Sequence, residues 1–320
     1  MKYIKELRNG IENEIKFHNT FIIGEDVQDP YGGAFKVTKG LSTLYPNNII
    51  AVPMCEQGFF GMGVGMAFEG SYVVVESMFG DFATLMADQM INHAAKFSQM
   101  YKESMRIVLR CPSGGYKGYG ATHSQSLERI YFGIPGVQII APSIAHSPGK
   151  LLEKALDSGI PTVFVESKSD YPRELLGSSG LFWEKEMFEE DGFPIARIKV
   201  KNEKPDYTII VYGGLVQDAL DVMEYFLYEE EMNIDIVVPS NLSEIRNIAD
   251  FVRCRNVLII EEGVRDFGWG AEVACHFLES GVKVQRAGAE NSFIPASGKW
   301  EHKVLLQKED IIQVIQKGMK

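Results

Sequence analysis

Short runs of apolar and β-branched residues alternate with stretches of helical periodicity along the first half of the chain. Such runs predict strands, because a strand of a parallel sheet is buried on both faces. The predicted strands are TFIIGED, NIIAVP, SYVVVES, MRIVLRCP, VQIIAPS and PTVFVES, with ATLMADQMINHAAKFSQMY and PGKLLEKALDS as helices between them. This order predicts an α/β fold on a mostly parallel sheet.

The alternation stops at about residue 172 and resumes at about residue 206. The intervening segment is polar, is interrupted by Gly and Pro, and has little periodicity, which is typical of a domain boundary. Afterwards the strands YTIIVYGG, NIDIVVPS, NVLIIEEG and VKVQRAG alternate with the helices VQDALDVMEYFLYEEE, SEIRNIADFV and WGAEVACHFLES. The sequence therefore predicts two α/β domains, 1–185 and 206–320, joined by a linker over 186–205.

Charge and composition narrow the classes of partner and the compartment. The 320 residues carry a net charge of -11, without a cluster of Lys and Arg, which argues against a nucleic acid partner. The four cysteines lack CxxC spacing, and the N-terminus has helical periodicity rather than an apolar signal core. No apolar run approaches the length of a membrane span, about 20 residues. We expect a reduced, cytoplasmic chain.

The stretch VPMCEQGFFGMGVGMAFEG, residues 52–70, is rich in glycine but does not meet the GxGxxG spacing of dinucleotide sites. Gly58, Gly61 and Gly65 fall at helical offsets and share one face, where another backbone could approach closely. These glycines predict a helix packed at a tight interface.

The same stretch contains one carboxylate before the predicted helix, Glu56, among apolar neighbours. One interpretation is a helix-capping acid, because helix N-termini favour anions. The other is a functional carboxylate, because removal from water raises the pKa of a carboxyl and allows proton exchange near neutral pH. The residues alone leave both open.

Two further stretches contain candidate residues. Phe79 and Phe82 lie where a predicted strand passes into a helix, a place at which ligand crevices form, although two core phenylalanines would give the same pattern. The Gly-rich loop RCPSGGYKGYGATHSQSLERI contains His123, which could act as an acid or base. A GxSxG elbow and the spacing of metal-ligand motifs are absent from the sequence.

Six stretches together resemble the beta subunits of thiamine-diphosphate-dependent 2-oxoacid dehydrogenases, in the order and nearly at the spacing of that family. They are GEDV...YGGAFKVTKGL, VPMCEQGFFGMGVGMAFEG, ESMFGDFATLMADQMINHAAK, GGYKGYGATHSQSLE, GIPGVQIIAPS and IIEEGVRDFGWGAEVA. The resemblance runs from about residue 4 to 285. It implies a transketolase-like fold with a pyrimidine-binding domain and a C-terminal α/β domain.

The resemblance assigns roles to five residues. Glu56 matches the glutamate that hydrogen-bonds the aminopyrimidine of the cofactor and drives formation of its ylid. Phe82 matches the aromatic residue that stacks on this ring. His123 matches the active-site histidine of the HSQ motif, and Gln125 of that motif is expected to bind the cofactor. Glu25 matches an acid between two active sites, where linked carboxylates shuttle a proton.

The resemblance also implies partners. The GDG...N motif that anchors the diphosphate and Mg²⁺ is missing, since the pair Gly80-Asp81 continues with Phe82. An alpha-type subunit is therefore expected to supply it, in an α2β2 heterotetramer whose substrate is a 2-oxoacid. Relatives further suggest a structural K⁺ near 156–166 and acyl transfer to a lipoyl acyltransferase.

Two alternatives stay open. The chain could belong to a paired decarboxylase or carboligase that uses the same cofactor without a lipoyl complex. It could also be a catalytically silent scaffold subunit, because fold does not guarantee activity. The 2-oxoacid itself is not predicted, because the partner chain would complete the pocket.

Overall fold

Residues 1–190 and 192–318, which the computed structural model describes, form two six-stranded sheets with helices packed on them. The first sheet has the order β2-β1-β3-β4-β6-β5, and all its neighbouring strands are parallel. Its strands are β1 Phe21–Gly24, β2 Ile49–Ala51, β3 Val73–Glu76, β4 Ile107–Ser113, β5 Gln138–Ile140 and β6 Thr162–Ser167. Every predicted strand of the first half is confirmed.

The second sheet has the order β12-β11-β9-β10-β8-β7. Its strands are β7 Trp183–Glu190, β8 Phe193–Val200, β9 Tyr207–Val211, β10 Ile234–Pro239, β11 Asn256–Val264 and β12 Lys283–Ala289. The pairs from β12 to β10 are parallel, whereas β8 pairs antiparallel with both β10 and β7. The prediction of an α/β fold with two mostly parallel sheets is confirmed.

The helices lie between these strands in chain order. Their bounds are α1 Tyr3–His18, α2 Leu41–Leu44, α3 Glu56–Phe68, α4 Ala83–Asp88, α5 Lys96–Tyr101, α6 Pro148–Asp157, α7 Val216–Glu229, α8 Trp269–Cys275, α9 Gly298–Val304 and α10 Lys308–Gly318. A π-helical segment, Gln89–Ala95, joins α4 to α5, so that the three form the helix predicted over 83–101. Shorter 3₁₀ turns cover Gly80–Phe82, Glu128–Tyr131, Gly213–Leu215 and Ile248–Phe251.

The segment 186–205 differs from the expectation of an irregular linker. It contains most of β7 and all of β8, which form an antiparallel hairpin at the edge of the second sheet. β8 alternates between buried and half-buried positions, as expected for a strand that packs on the core with one face. The first sheet therefore ends with β6 and the second begins with β7. The division into domains at residue 185 stays a prediction.

Two helices of the second half are shorter than predicted. The segment SEIRNIADFV contains only the 3₁₀ turn Ile248–Phe251, and α8 ends at Cys275 rather than near residue 280. No helix within residues 1–190 and 192–318 combines the length and apolar character needed to cross a membrane.

One hydrophobic cluster joins the two halves of the chain. It contains Ile139 from the first sheet together with Leu242 and Trp269 from the second half, all buried. Main-chain hydrogen bonds cross the same boundary, from Leu242 to Ile139 at 2.8 Å and from Ala141 to Ser240 at 2.8 Å. The sheets thus share a core, and this fixes how loops of the second half reach the first.

Candidate active site

The candidate residues follow the carboxyl ends of neighbouring strands in the first sheet. Two acids, an aromatic residue and two loop residues come after β1, β2, β3 and β4 in turn: Glu25, Glu56, Phe82, His123 and Gln125. Because these strands are parallel, their carboxyl ends share one edge of the sheet. Open α/β sheets bind ligands in the crevice outside this edge.

Glu56 is close enough to Glu25 for its charge to affect the ionisation of Glu25. Glu25 is 8% exposed, and its Oε1 atom is buried without a hydrogen-bond partner among the described residues. Burial raises the pKa of Glu25, and the charges of Glu56 and then Asp26 raise it further. The site therefore contains a carboxyl that gives up its proton less readily than an ordinary glutamic acid.

The capping interpretation of Glu56 does not match the geometry. Cys55 occupies the N-cap position, and Glu56 is the first residue of α3. No hydrogen bond or ion pair joins the half-buried Glu56 carboxylate to any residue in the described part of the chain. The carboxylate is therefore available to a ligand.

Among the described residues, no backbone of another element packs on the face of α3 formed by Gly58, Gly61 and Gly65, contrary to the close approach expected there. A Cβ on Gly65 would meet no atom within 4 Å, and one on Gly61 would meet only the side chain of Gln89. The close approach occurs at Gly63 instead, where a Cβ would lie 3.0 Å from Cγ2 of Val75. An interface of the face at Gly58, Gly61 and Gly65 with another chain stays a prediction.

Aromatic rings hold the imidazole of His123 from two sides. The ring of Phe79 lies 4.6 Å from it and that of Phe82 lies 5.4 Å from it, both nearly perpendicular. Nδ1 of His123 is 2.8 Å from the hydroxyl oxygen of Thr122. Nε2 makes no hydrogen bond to the part of the chain described, so this nitrogen can contact a ligand. The fold thus places two predicted residues, Phe82 and His123, side by side.

Gln125 contacts an acid that the sequence analysis did not select as a site residue. Its Nε2 donates to Oδ1 of Asp81 at 3.0 Å, and its main-chain N–H donates to the same atom at 3.3 Å. Asp81 is 6% exposed, and its Oδ2 has no hydrogen-bond partner within residues 1–190 and 192–318. Asp81 therefore ties the HSQ segment to the turn that contains Phe82.

The Gly-rich loop before His123 is bound by carboxylates from the second half of the chain. Gly115 donates its N–H to Oε1 of Glu262 at 2.6 Å, and Gly118 donates to Oε2 of Glu301 at 2.9 Å. Gly114 has a φ of +93°, and a Cβ there would lie 2.2 Å from the Glu262 carboxylate. Burial raises the pKa of Glu262 to about 7, although the Gly115 N–H opposes the shift. Only glycine fits this turn.

A cavity of about 440 Å³ lies beside this loop, between the HSQ segment and the second half of the chain. Gln125 and Arg129 line one wall, and Glu262 and Phe293 line another. The dimensions are those of a small-molecule pocket. Within the described ranges, no three or more His, Cys, Asp and Glu side chains come together in a way that could hold a metal ion.

A buried ionic network lies beneath the site and joins three strands. Arg110 of β4 is fully buried and donates to both oxygens of Glu166 on β6, at 2.6 and 2.7 Å, and to Glu76 on β3. Tyr171 donates to Glu166 at 2.7 Å. Each buried charge therefore has a partner of opposite sign, and the network fixes the strand ends from which the site loops leave.

Comparisons with known proteins identify the family. Residues 12–174 match the family described as "Transketolase, pyrimidine binding domain". The "Pyruvate dehydrogenase E1 component subunit beta-1, mitochondrial" of Arabidopsis thaliana is 32% identical over 96% of this chain and 86% of its own length. The "Pyruvate dehydrogenase E1 component subunit beta" of Rickettsia bellii is 29% identical over 97% of this chain and 96% of its own.

The chain belongs to the family of pyruvate dehydrogenase E1 beta subunits. Its fold is transketolase-like, because a solved structure titled "Split gene transketolase, inactive beta4 tetramer" superposes with a TM-score of 0.71. That likeness covers 99% of this chain and 96% of the other at 17% identity. The resemblance to this family, drawn from the six sequence stretches, is confirmed.

In this E1 beta-type chain, sequence reasoning missed several residues that shape the site. Asp81, Lys168, Glu262 and Glu301 are all buried and lie around the HSQ loop. Asp81 and Lys168 each follow a predicted strand, which was a usable signal for a position at the ligand edge. Glu262 and Glu301 gave no such signal, since they lie far along the chain and reach the loop only through the packing of the two halves.

Proposed function

We propose that this chain is the beta subunit of a thiamine-diphosphate-dependent 2-oxoacid dehydrogenase. In this proposal Glu56 activates the cofactor, the enzyme decarboxylates a 2-oxoacid, and the acyl group passes to a lipoyl group. The observation that carries the proposal is that Glu25 and Glu56, two carboxyls without hydrogen-bond partners among the described residues, follow β1 and β2 at the sheet edge from which the segments with Phe82 and His123 also leave. The names of the E1 beta relatives support the same reaction.

The residues at the sheet edge fit thiamine diphosphate. The unpartnered carboxylate of Glu56 would accept a hydrogen bond from the aminopyrimidine, and the ring of Phe82 would stack on it. When bound, the cofactor supplies a nucleophilic carbon and an electron sink for decarboxylation. Glu56 would share a proton with the aminopyrimidine, and a carboxyl that carries no competing partner suits this task.

Glu25 would act as a proton reservoir beside Glu56. Its pKa is raised first by burial and then by the charge of Glu56, so Glu25 can hold a proton next to the Glu56 carboxylate. Such a pair can pass a proton without charging both groups. A chain of carboxyls that links two active sites of the assembly needs this property.

His123 would orient the substrate or stabilise charge on it. Its ring is held at Nδ1 by Thr122 and on its sides by Phe79 and Phe82, which leaves Nε2 directed to a ligand. A histidine fixed in this way can donate or accept a proton with little reorganisation. Gln125 would support the cofactor side of the loop through its contact with Asp81.

The proposal includes an alpha-type subunit in an α2β2 heterotetramer. The described residues offer no cluster of metal ligands, and Asp81 of the one Gly-Asp pair is engaged with Gln125. Mg²⁺ and the diphosphate of the cofactor would therefore be held by the partner chain. A structural K⁺ near 156–166, a lipoyl acyltransferase partner and a cytoplasmic location stay predictions.

The first experiment is a calorimetric titration of thiamine diphosphate with Mg²⁺ into the chain alone and into its complex with the coexpressed alpha-type protein. We expect binding only to the complex, weakened about 10-fold or more by Glu56→Gln, because the substitution removes a charge-assisted hydrogen bond. Glu69→Gln is the matched control, since Glu69 is exposed at the other end of α3. Binding that Glu56→Gln leaves unchanged would refute the role of Glu56.

A second measurement separates the proposed enzyme from its alternatives. The complex is given a panel of 2-oxoacids with an artificial electron acceptor, and then with a lipoyl domain and no acceptor. Turnover in both assays supports the dehydrogenase. Turnover without acyl transfer to the lipoyl domain supports a paired decarboxylase or carboligase, and a folded complex that does not bind the cofactor supports a silent scaffold.

A further inference from the structure

Lys168 is a buried lysine next to the candidate active site. It follows β6 directly and is 3% exposed. Its ammonium donates a hydrogen bond to the main-chain carbonyl of His123. The same ammonium lies 5.1 Å from the ring of Phe79 and 5.4 Å from that of Tyr119. Phe79 in turn contacts the imidazole of His123, so Lys168 supports this residue through its backbone and through its neighbour.

The Lys168 ammonium has few direct partners for its charge among the described residues. Three buried carboxyls from separate elements act on it electrostatically: Asp81 from the turn after β3, Glu262 from β11 and Glu301 from α9. None of them forms a direct ion pair with it in the described ranges, because Asp81 contacts Gln125 while Glu262 and Glu301 contact the Gly-rich loop. The fold therefore directs the ammonium to the His123 carbonyl and to two aromatic faces.

We propose that Lys168 is a positioning residue for His123 in the reaction proposed above. Its ammonium holds the backbone of the HSQ loop and the ring of Phe79 in the arrangement that presents the imidazole. Lys168 does not itself contact the reacting atoms in this proposal. The inference rests on the proposed function where it is tested by enzyme activity. Its second test follows the NMR signal of His123 and does not depend on that function.

The strength of this support depends on the charge of Lys168. Hydrogen bonds from an ionised donor are about twice as strong as neutral ones, and the attraction to an aromatic face requires a cation. Burial lowers the pKa of Lys168 to about 8, although Asp81, Glu262 and Glu301 oppose the shift. Above this pH the ammonium loses its proton, and the support of His123 weakens.

The test uses the complex with the alpha-type subunit and three variants of this chain. Lys168→Met keeps the length of the apolar stem and removes the charge. Lys168→Arg keeps the charge at every accessible pH, and the adjoining open cavity of about 390 Å³ leaves room for it. Lys117→Met is the matched control, because Lys117 lines the same cavity but has no bond to His123.

We expect Lys168→Met to lower kcat about 100-fold, since small misplacements of an active-site group have this effect. Cofactor affinity should stay within about 2-fold, because the substitution leaves Glu56 and Phe82 in place. In the wild type, kcat should fall above about pH 8, and Lys168→Arg should restore activity and remove this alkaline limb. Lys117→Met should match the wild type throughout.

A second measurement needs no enzyme turnover and follows the NMR signal of the His123 imidazole. Histidine labelled with ¹³C gives one signal for each of the six histidines, and His123→Gln identifies that of His123. We expect this signal to shift with a midpoint near pH 8 in the wild type and to lose that shift in Lys168→Met and Lys168→Arg. Thermal unfolding checks that the variants fold.

The two proposals fail in different ways. A wild-type complex that turns over no 2-oxoacid contradicts the proposed function, and the His123 signal then decides the positioning role alone. An active wild type with an unchanged kcat in Lys168→Met, or an alkaline limb that persists in Lys168→Arg, overturns the positioning role. So does a His123 signal that titrates identically in all variants.

Discussion

Replacement of Arg110 by Met tests whether the buried ionic network stabilises the sheet beneath the site. Arg110 is fully buried, and its partners Glu166 and Glu76 are 0% and 3% exposed. Burial alone would lower the pKa of Arg110, but the charges of Glu166 and Glu76 outweigh it and raise the pKa above its already high value. Methionine fills a similar volume, so the substitution removes mainly the charge and its hydrogen bonds.

The expected cost follows from the two carboxylates left behind. Removal of one partner from a buried ion pair typically lowers the free energy of unfolding by about 3–5 kcal/mol. The carboxyl of Glu76, whose pKa is raised by burial and by the charge of Glu166, then takes up a proton, which the unfolded chain does not do at neutral pH. The uptake of one proton by the folded state changes the free energy of unfolding by about 1.4 kcal/mol for each pH unit. The loss of stability caused by Arg110→Met should therefore be about 2–3 kcal/mol smaller at about pH 6 than at about pH 8.

Urea unfolding followed by circular dichroism at both pH values measures this cost. Because two sheets can unfold separately, amide hydrogen exchange in β3, β4 and β6 provides the local value. Addition of Glu76→Gln and Glu166→Gln to Arg110→Met should recover most of the loss at about pH 8, since it removes the unpaired charges. A cost below about 1 kcal/mol, or an equal cost at both pH values, would refute the reasoning.

Three further predictions concern residues in helices α1 and α3. Burial raises the pKa of Glu14 to about 7, so its protonated form stabilises the fold and this contribution is lost as pH rises from about 4.5 through 7. Glu14→Gln should leave stability unchanged at about pH 4.5 and raise it by about 2–3 kcal/mol at about pH 8 in thermal unfolding; a gain that is equal at both pH values would contradict this. Gly65→Ala should stabilise the isolated chain by up to about 1 kcal/mol, because its Cβ meets no atom, yet weaken assembly with the alpha-type subunit in analytical ultracentrifugation. Gly63→Ala should instead destabilise the chain by about 1–3 kcal/mol against Val75, and a Gly65→Ala variant that assembles normally would contradict an interface on that face.

The strands of the first sheet could be predicted because their environment is uniform. Strands β3 and β6 are buried at every position, and each contains a run of at least three consecutive apolar residues. The position of the ligand edge followed from the same order, since parallel strands place all their carboxyl ends together. The order therefore predicted a crevice at Phe79 and Phe82, whereas Glu56 and His123 were expected at the same site from the resemblance to the family.

The hairpin of β7 and β8 was missed because its signal is divided between two strands. β7 is rich in glutamate and reads as a solvated segment. In the structure two of those glutamates face a basic residue across the hairpin, because Lys199 pairs with Glu186 at 2.7 Å and with Glu184 at 3.3 Å. Such cross-strand pairing depends on register, which the composition of one strand does not reveal.

The candidate site was predicted only where residues follow first-sheet strands. The buried acids that bind the Gly-rich loop, Glu262 and Glu301, come from the second half of the chain. The position of these two acids depends on the hydrophobic cluster that joins the two sheets. Trp269 belongs to this cluster and comes from the second half of the chain. Contacts of this kind arise from packing over long sequence separations, and neither spacing nor periodicity encodes them.

The loop that leads to His123 is synthesised before the two carboxylates that bind it. A ribosome synthesises residues 114–120 well before it reaches Glu262. It reaches Glu301 only after almost all of the 320 residues have been made. At about 5–20 residues per second, the loop waits roughly ten seconds or more for its last acceptor. The nascent N-terminal half can therefore build its sheet without a finished active site. A chain that ends before Glu301 would lack one of the two carboxylates that bind this loop.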